Sequence, residues 1–225
     1  MAYEVRHSGE LTYILQFPKD FDPAKKTPVL LYLHGSGTRG KTPDAVMQTD
    51  SFQETGKLQN FPFLMVAPIC PPVDTWFDWL HVLKALVKEI CALPYADTDR
   101  FYGMGASMGA YGLWQLAMAI PETFAAILPI CGGGIYWNAK RLVNVPVWAF
   151  HGALDQTVLP EESEKMVNKI NKLGGNAKLT IYPNNQHNAW TDTYSNQEVF
   201  DWLLTHTNRN EQDTADIYTD ATKFG

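Results

Sequence analysis

At 225 residues with a hydrophobic fraction of 45%, the chain is long for an average domain but ordinary for one α/β domain with a substantial core. Its 24 acidic and 18 basic residues give a formal charge of −6, spread along the chain with no Lys/Arg-rich block. That balance argues against nucleic acid or an anionic membrane as a partner.

In chain order, residues 3–17 alternate loosely around Ser8-Gly9 and read as an N-terminal hairpin. The opening residues are polar and charged, with no h-region of a signal peptide. Short, nearly continuous apolar runs follow at residues 29–33, 63–67, 101–106, 125–131, 147–150 and 179–182. Such runs mark strands buried on both faces, as in a parallel sheet. None is long enough to span a bilayer.

Helical spacing fills the gaps. Leu80, Leu83, Val87 and Ile90 share one face before Pro94, and residues 110–120 form a second helix-like run. Pro160-Glu161-Glu162 opens a third helix, with Met166, Ile170 and Leu173 on one face and Gly174-Gly175 at its end. Proline at the start, acids in the first turn and glycine past the end suit helix termini. A last helix covers roughly residues 197–206. The alternation predicts a doubly wound, mostly parallel α/β sheet forming one domain over residues 1–207. From Asn208 the sequence turns polar and aperiodic, so residues 208–225 read as a mobile tail. Cys70, Cys91 and Cys131 are scattered and without C-x-x-C spacing. We read them as three buried, reduced thiols in a cytoplasmic protein, with no disulfide frame and no metal site.

The most informative segment is Gly105-Ala106-Ser107-Met108-Gly109, which ends an apolar run and begins a helical one. A serine on a sharp strand-to-helix turn needs neighbours without side chains, so that the turn packs closely and the hydroxyl stands clear. Attack on an acyl carbon also needs a base, and an acid to orient that base. Asp155, in His151-Gly152-Ala153-Leu154-Asp155, follows the strand at residues 147–150. His187, in Asn185-Gln186-His187-Asn188-Ala189-Trp190, follows the strand ending at Tyr182. Three such residues at the carboxyl ends of strands are placed where open α/β sheets bind ligands.

Each candidate has a plainer alternative. Asp155 could instead cap the helix near Pro160. Of the other histidines, His7 and His206 lie in polar terminal segments and His81 lies in a helix. His34 and His151 each precede a glycine after a strand, where a buried ring shapes the turn.

An oxyanion needs two aimed N–H donors. Met108, at the helix N-terminus, is one candidate. Ser36, in His34-Gly35-Ser36-Gly37, is the other, with Gly35 as the nearest alternative. The same loop, residues 35–40, matches G-x-G-x-x-G, but a dinucleotide site also needs a helix starting inside the motif. Lys41-Thr42-Pro43 follows instead. No cofactor is therefore expected.

Together, residues 33–40, the elbow at 105–109, His151-Gly152…Asp155 and His187…Trp190 resemble an α/β-hydrolase. More narrowly, they are similar to the serine esterase and predicted-peptidase branch near dienelactone hydrolases, phospholipase/carboxylesterases and feruloyl esterases. Ala67-Pro68-Ile69-Cys70-Pro71 and residues 129–134 share that likeness, which spans about residues 28–205. A cysteine nucleophile is common in dienelactone hydrolases, and Ser107 departs from it.

The resemblance implies ester hydrolysis through an acyl-enzyme, with Ser107, Asp155 and His187 as the triad and no metal or organic cofactor. It also implies a lid position, here residues 132–145, too short for a folded cap. The site should then be open and its partner a small ester. Trp76, Trp137 and Trp190 are the candidate substrate contacts, with Phe77 and Tyr136 near the same rim; the plainer alternative for each ring is that it packs the loops. Flat rings suit a phenolic acyl group or a sugar, favouring feruloyl or acetyl esters of plant polysaccharide. The rival expectations are a serine peptidase of the oligopeptidase type, an acyltransferase and a non-catalytic binding member of the fold.

Overall fold

The computed structural model describes residues 1–208. Eight strands form one sheet in the order β1-β2-β4-β3-β5-β6-β7-β8. The strands are β1 (Tyr3–Ser8), β2 (Leu11–Gln16), β3 (Thr27–Leu33), β4 (Leu64–Pro68), β5 (Ala96–Ala106), β6 (Ala126–Ile130), β7 (Val147–Gly152) and β8 (Ala177–Tyr182). The hairpin β1–β2 and the β2–β4 pair are antiparallel, and the remaining pairs are parallel. This is the doubly wound sheet with an N-terminal hairpin that the sequence predicts.

The apolar runs are continuous because both faces of the sheet are covered. Val29, Leu31 and Leu33 of β3 join one core with α3 (Leu80–Cys91), α4 (Met108–Ala119) and α5 (Glu161–Lys172). Leu30 and Tyr32 join the other core, with Phe52 of α2 (Asp50–Thr55), Tyr194 of α6 (Ala189–Ser195) and Phe200 of α7 (Gln197–Leu204). α5 ends as expected, with the Gly175 N–H returning to the Ile170 carbonyl at 3.0 Å.

Three helices go beyond the sequence reading: α1 (Pro43–Met47), α2 and α6. All are too short to show a periodic face. α1 is instead set by chemistry at its start, with the Thr42 side chain accepting from the Ala45 N–H and Pro43 in the first turn. β5 also begins earlier than its apolar run, at Ala96, with a register break opposite Pro28/Val29 that absorbs the polar residues before Phe101. Asn208, predicted to start the tail, donates its N–H to the Asp99 carbonyl at 2.7 Å; the rest of that segment lies outside the described residues. Among the described residues, no helix is long and apolar enough to cross a membrane.

Candidate active site

β5 and β3 are neighbours at the sheet centre, so the turns leaving their carboxyl ends lie side by side. At the β5–α4 turn Ser107 has φ 54° and ψ −120°, a left-handed conformation that costs a non-glycine residue on the order of 1–3 kcal/mol. The flanking glycines make this turn sterically feasible. A Cβ on Gly109 would lie 1.8 Å from the Leu33 carbonyl oxygen, and one on Gly105 would lie 2.4 Å from that of Gly109. The Ser107 N–H is tied to the Ile130 carbonyl at 2.8 Å. The strained residue is thus held from below while its hydroxyl points outward.

That hydroxyl meets His187 Nε2 at 2.8 Å, and His187 Nδ1–H donates to Asp155 Oδ2 at 2.7 Å. Asp155 is fully buried. Its Oδ1 accepts from the Thr157 and Val158 N–H groups at 2.9 and 3.0 Å, so it stabilises its own loop rather than capping α5. Burial works against the charge of Asp155, but the bonds from His187, Val158 and Thr157 outweigh it and hold the carboxyl below its usual range.

The loops carrying Asp155 and His187 come together because of Gly152. A Cβ there would lie 2.1 Å from the Gln186 carbonyl oxygen, and the Leu154 N–H reaches the Asn185 carbonyl at 2.9 Å. The structure therefore joins Ser107, His187 and Asp155 through hydrogen bonds, although 80 and 32 residues separate the bonded pairs.

After β3 the chain forms a 3-10 turn, Ser36–Thr38. An ideal Cβ on Gly35 would sit 3.5 Å from that of Ser107, which places this loop beside the nucleophile candidate. Ser36 and Met108 each begin a helical turn, so neither N–H has an acceptor within its own helix. The loop is braced from behind. His34 Nδ1–H donates to the Gly35 carbonyl at 2.8 Å, and Nε2 accepts from the Cys70 N–H at 3.0 Å. Burial keeps this ring neutral, lowering its pKa to about 4. Arg39 donates to the Ser36 and Asp74 carbonyls, both at 3.2 Å. The G-x-G-x-x-G segment thus holds a 3-10 turn, and the first α-helix starts beyond it at Pro43.

The aromatic expectations divide. Trp137 is 71% exposed, Phe77 and Tyr136 are about half exposed, and Trp190 meets the His187 ring edge-on at 5.2 Å. Trp76 is corrected: it is only 1% exposed, so it is not a rim contact. Its indole N–H donates to the His34 carbonyl at 2.9 Å, and its stem packs against Gly112 of α4. Burying so large a ring with its N–H satisfied makes Trp76 a brace under the loop. Sequence position alone could not separate it from Phe77 next door. The segment between β6 and β7 holds one 3-10 helix, Tyr136–Leu142, whose Ala139 and Leu142 are buried, and carries no folded cap.

His151 is the residue whose importance the sequence reading understated. It is fully buried, with Nε2 3.2 Å from Asp155 Oδ2 and Nδ1 2.8 Å from Ser163 Oγ. The His-Gly pair at a strand end was the available signal, but it pointed only to a turn.

Comparison with known proteins fits this geometry. Residues 135–210 match the prolyl oligopeptidase family. Dipeptidyl-peptidase 5 of Porphyromonas gingivalis is 24% identical over 79% of this chain and 32% of its own length. The chain thus spans about a third of the length of the curated relatives it matches first. Among solved structures, a thermostable esterase is 30% identical with a TM-score of 0.75, over 92% of this chain and 63% of that one. Est1E from Butyrivibrio proteoclasticus superposes with a TM-score of 0.71 at 15% identity, over 91% of this chain and all of its own; another structure of Est1E has ferulic acid bound. The chain has the α/β-hydrolase fold, and the proteins it resembles are serine esterases and peptidases.

Proposed function

We propose that the protein is a serine carboxylesterase that hydrolyses small to medium acyl esters through an acyl-enzyme. The observation that carries this reading is the continuous hydrogen-bonded path from Asp155 Oδ2 through His187 to Ser107 Oγ. His187 Nε2 takes the hydroxyl proton as Ser107 Oγ attacks the ester carbonyl. Asp155 holds the Nδ1–H tautomer and stabilises the imidazolium without taking its proton. The Met108 and Ser36 N–H groups, with Gly35 as the alternative to Ser36, receive the developing oxyanion. Each lowers the barrier by about 3 kcal/mol. His187 then protonates the leaving alcohol, and water repeats the sequence on the acyl-enzyme.

Trp137 and Trp190 are proposed as substrate contacts on an open rim, where flat rings stack on a feruloyl acyl group or a sugar. The ferulic acid bound to Est1E supports that substrate class. No cofactor, nucleic acid or membrane takes part. The cysteines, free among the described residues, fit a cytoplasmic setting, although only Cys70 and Cys131 are buried and Cys91 is half-buried. The domain is proposed to end near residue 207.

A second reading is a serine peptidase, favoured by the match of residues 135–210 to the prolyl oligopeptidase family. Turnover of paired aryl ester and aryl amide substrates separates the two. Acetyl, butyryl, octanoyl and feruloyl esters then rank the acyl group. Faster amide than ester cleavage would overturn the esterase assignment, and product transfer to an added alcohol would identify an acyltransferase.

A further inference from the structure

His151 lies outside the proton path, yet its ring is wedged behind the acid of that path. Nε2 is 2.9 Å from the Val158 carbonyl oxygen and 3.2 Å from Asp155 Oδ2. A carbonyl only accepts, and an ionised carboxylate only accepts. Nε2 therefore carries its proton, bonded to the Val158 carbonyl and with Asp155 Oδ2 close by. On the other side, Nδ1 is 2.8 Å from Ser163 Oγ, which also lies 3.0 Å from the Gly132 carbonyl.

The groups facing the ring are Asp155 from its own loop, Ser163 from α5 and the Cys131 thiol at the end of β6, with His187 beyond Asp155. Cys131, His151 and Asp155 bring donor atoms within 4.8 Å of one another, a grouping that also suits a metal. Metal binding needs a bare nitrogen and a thiolate. Here Nε2 is protonated, and burial pushes the thiol up to about 12.

We infer that His151 is a positioning residue for the esterase relay: its Nε2–H shares Asp155 Oδ2 with His187, and Ser163 aims the ring. The inference rests on the esterase reading. Two N–H groups then serve each carboxylate oxygen, His187 and His151 on Oδ2 and Thr157 and Val158 on Oδ1. A carboxylate so filled has one orientation and a reduced affinity for a proton. It can stabilise the His187 imidazolium without accepting its proton. Removing the His151 donor leaves Asp155 more basic, which favours the imidazolium in the resting enzyme. The acid limb of the kcat/KM profile, set by deprotonation of His187, should then move to higher pH.

His151→Phe and His151→Gln test this. Phenylalanine keeps ring volume without a donor, whereas glutamine offers an amide N–H near the Nε2 position. His151→Phe should lose about tenfold in kcat, the worth of one hydrogen bond to a charged group, with KM little changed. Its acid limb should rise by about half a unit, and His151→Gln should bring both values back toward wild type. An unmoved limb in folded His151→Phe overturns the inference, as does a His151→Gln enzyme indistinguishable from it. If His151→Phe does not fold, Ser163→Ala decides: the limb should rise by less but in the same direction, and no movement overturns the inference. Labelling by a fluorophosphonate probe keeps the underlying reading separate. Wild type and both His151 variants should label at Ser107, and a wild type that neither labels nor cleaves esters defeats the esterase assignment itself.

Discussion

The relay and the rim of the same site are built in opposite ways. Asp155 is buried, with the N–H groups of His187, Thr157 and Val158 on its carboxylate and His151 Nε2 3.2 Å from Oδ2, and the Ser107 backbone is fixed between β6 and two glycines. Tyr136 and Trp137, at the start of a 3-10 helix, and Phe77, in a turn, have half or more of their surface in water. On the proposed reading, reaction chemistry rests on groups that cannot move without breaking the fold, whereas substrate choice rests on groups that can change at little cost to stability.

The sharpest break in that contrast is Ser107→Ala. It should lower kcat by about 10⁶ while the protein melts as wild type does, checked by paired hydrolysis and thermal melts. Asp155→Asn should cost about 10⁴ in kcat by favouring the wrong tautomer of His187. It should also lower the melting temperature, because the amide NH2 that takes the Oδ2 position cannot accept from the His151 Nε2–H beside it.

Gly152→Ala tests whether backbone approach, rather than any side chain, sets the relay. Its new Cβ would press on the Gln186 carbonyl and shift His187. Displacement of a reacting group by about 1 Å costs about 10² in rate, which steady-state kinetics on folded protein will reveal.

A smaller effect concerns stability and pH. The His34 pKa is lowered from 6.5 to about 4, chiefly by burial, so between those values the unfolded chain binds a proton that the folded one refuses. Stability should therefore fall as pH drops from 6.5 toward 4, by about 3 kcal/mol from this group, and level off below. Denaturation of His34→Gln across that window should show a flatter slope than wild type. Mildest of all, Trp137→Ala should leave stability within about 0.5 kcal/mol. It should raise KM for a feruloyl ester more than for an acetyl ester.

The sequence carried most of the scaffold and the three relay positions, for physical reasons. Strands covered on both faces must be apolar throughout, and a serine on a tight turn must be flanked by glycine. Ser107 and Gly109 were therefore legible. Trp76 was not, because whether an indole faces solvent or a neighbouring helix depends on the side of a loop it occupies. Short helices such as α1 and α6 escaped for a related reason: fewer than two turns cannot display a period. The approach of His151 to Asp155 depends on distances across a loop that no local pattern encodes.

Only a seven-residue 3-10 helix, Tyr136–Leu142, lies within the β6–β7 connection. That connection is a ready insertion point for engineering. A longer segment spliced there would roof the entrance and sieve substrates by size while leaving the catalytic wiring underneath untouched.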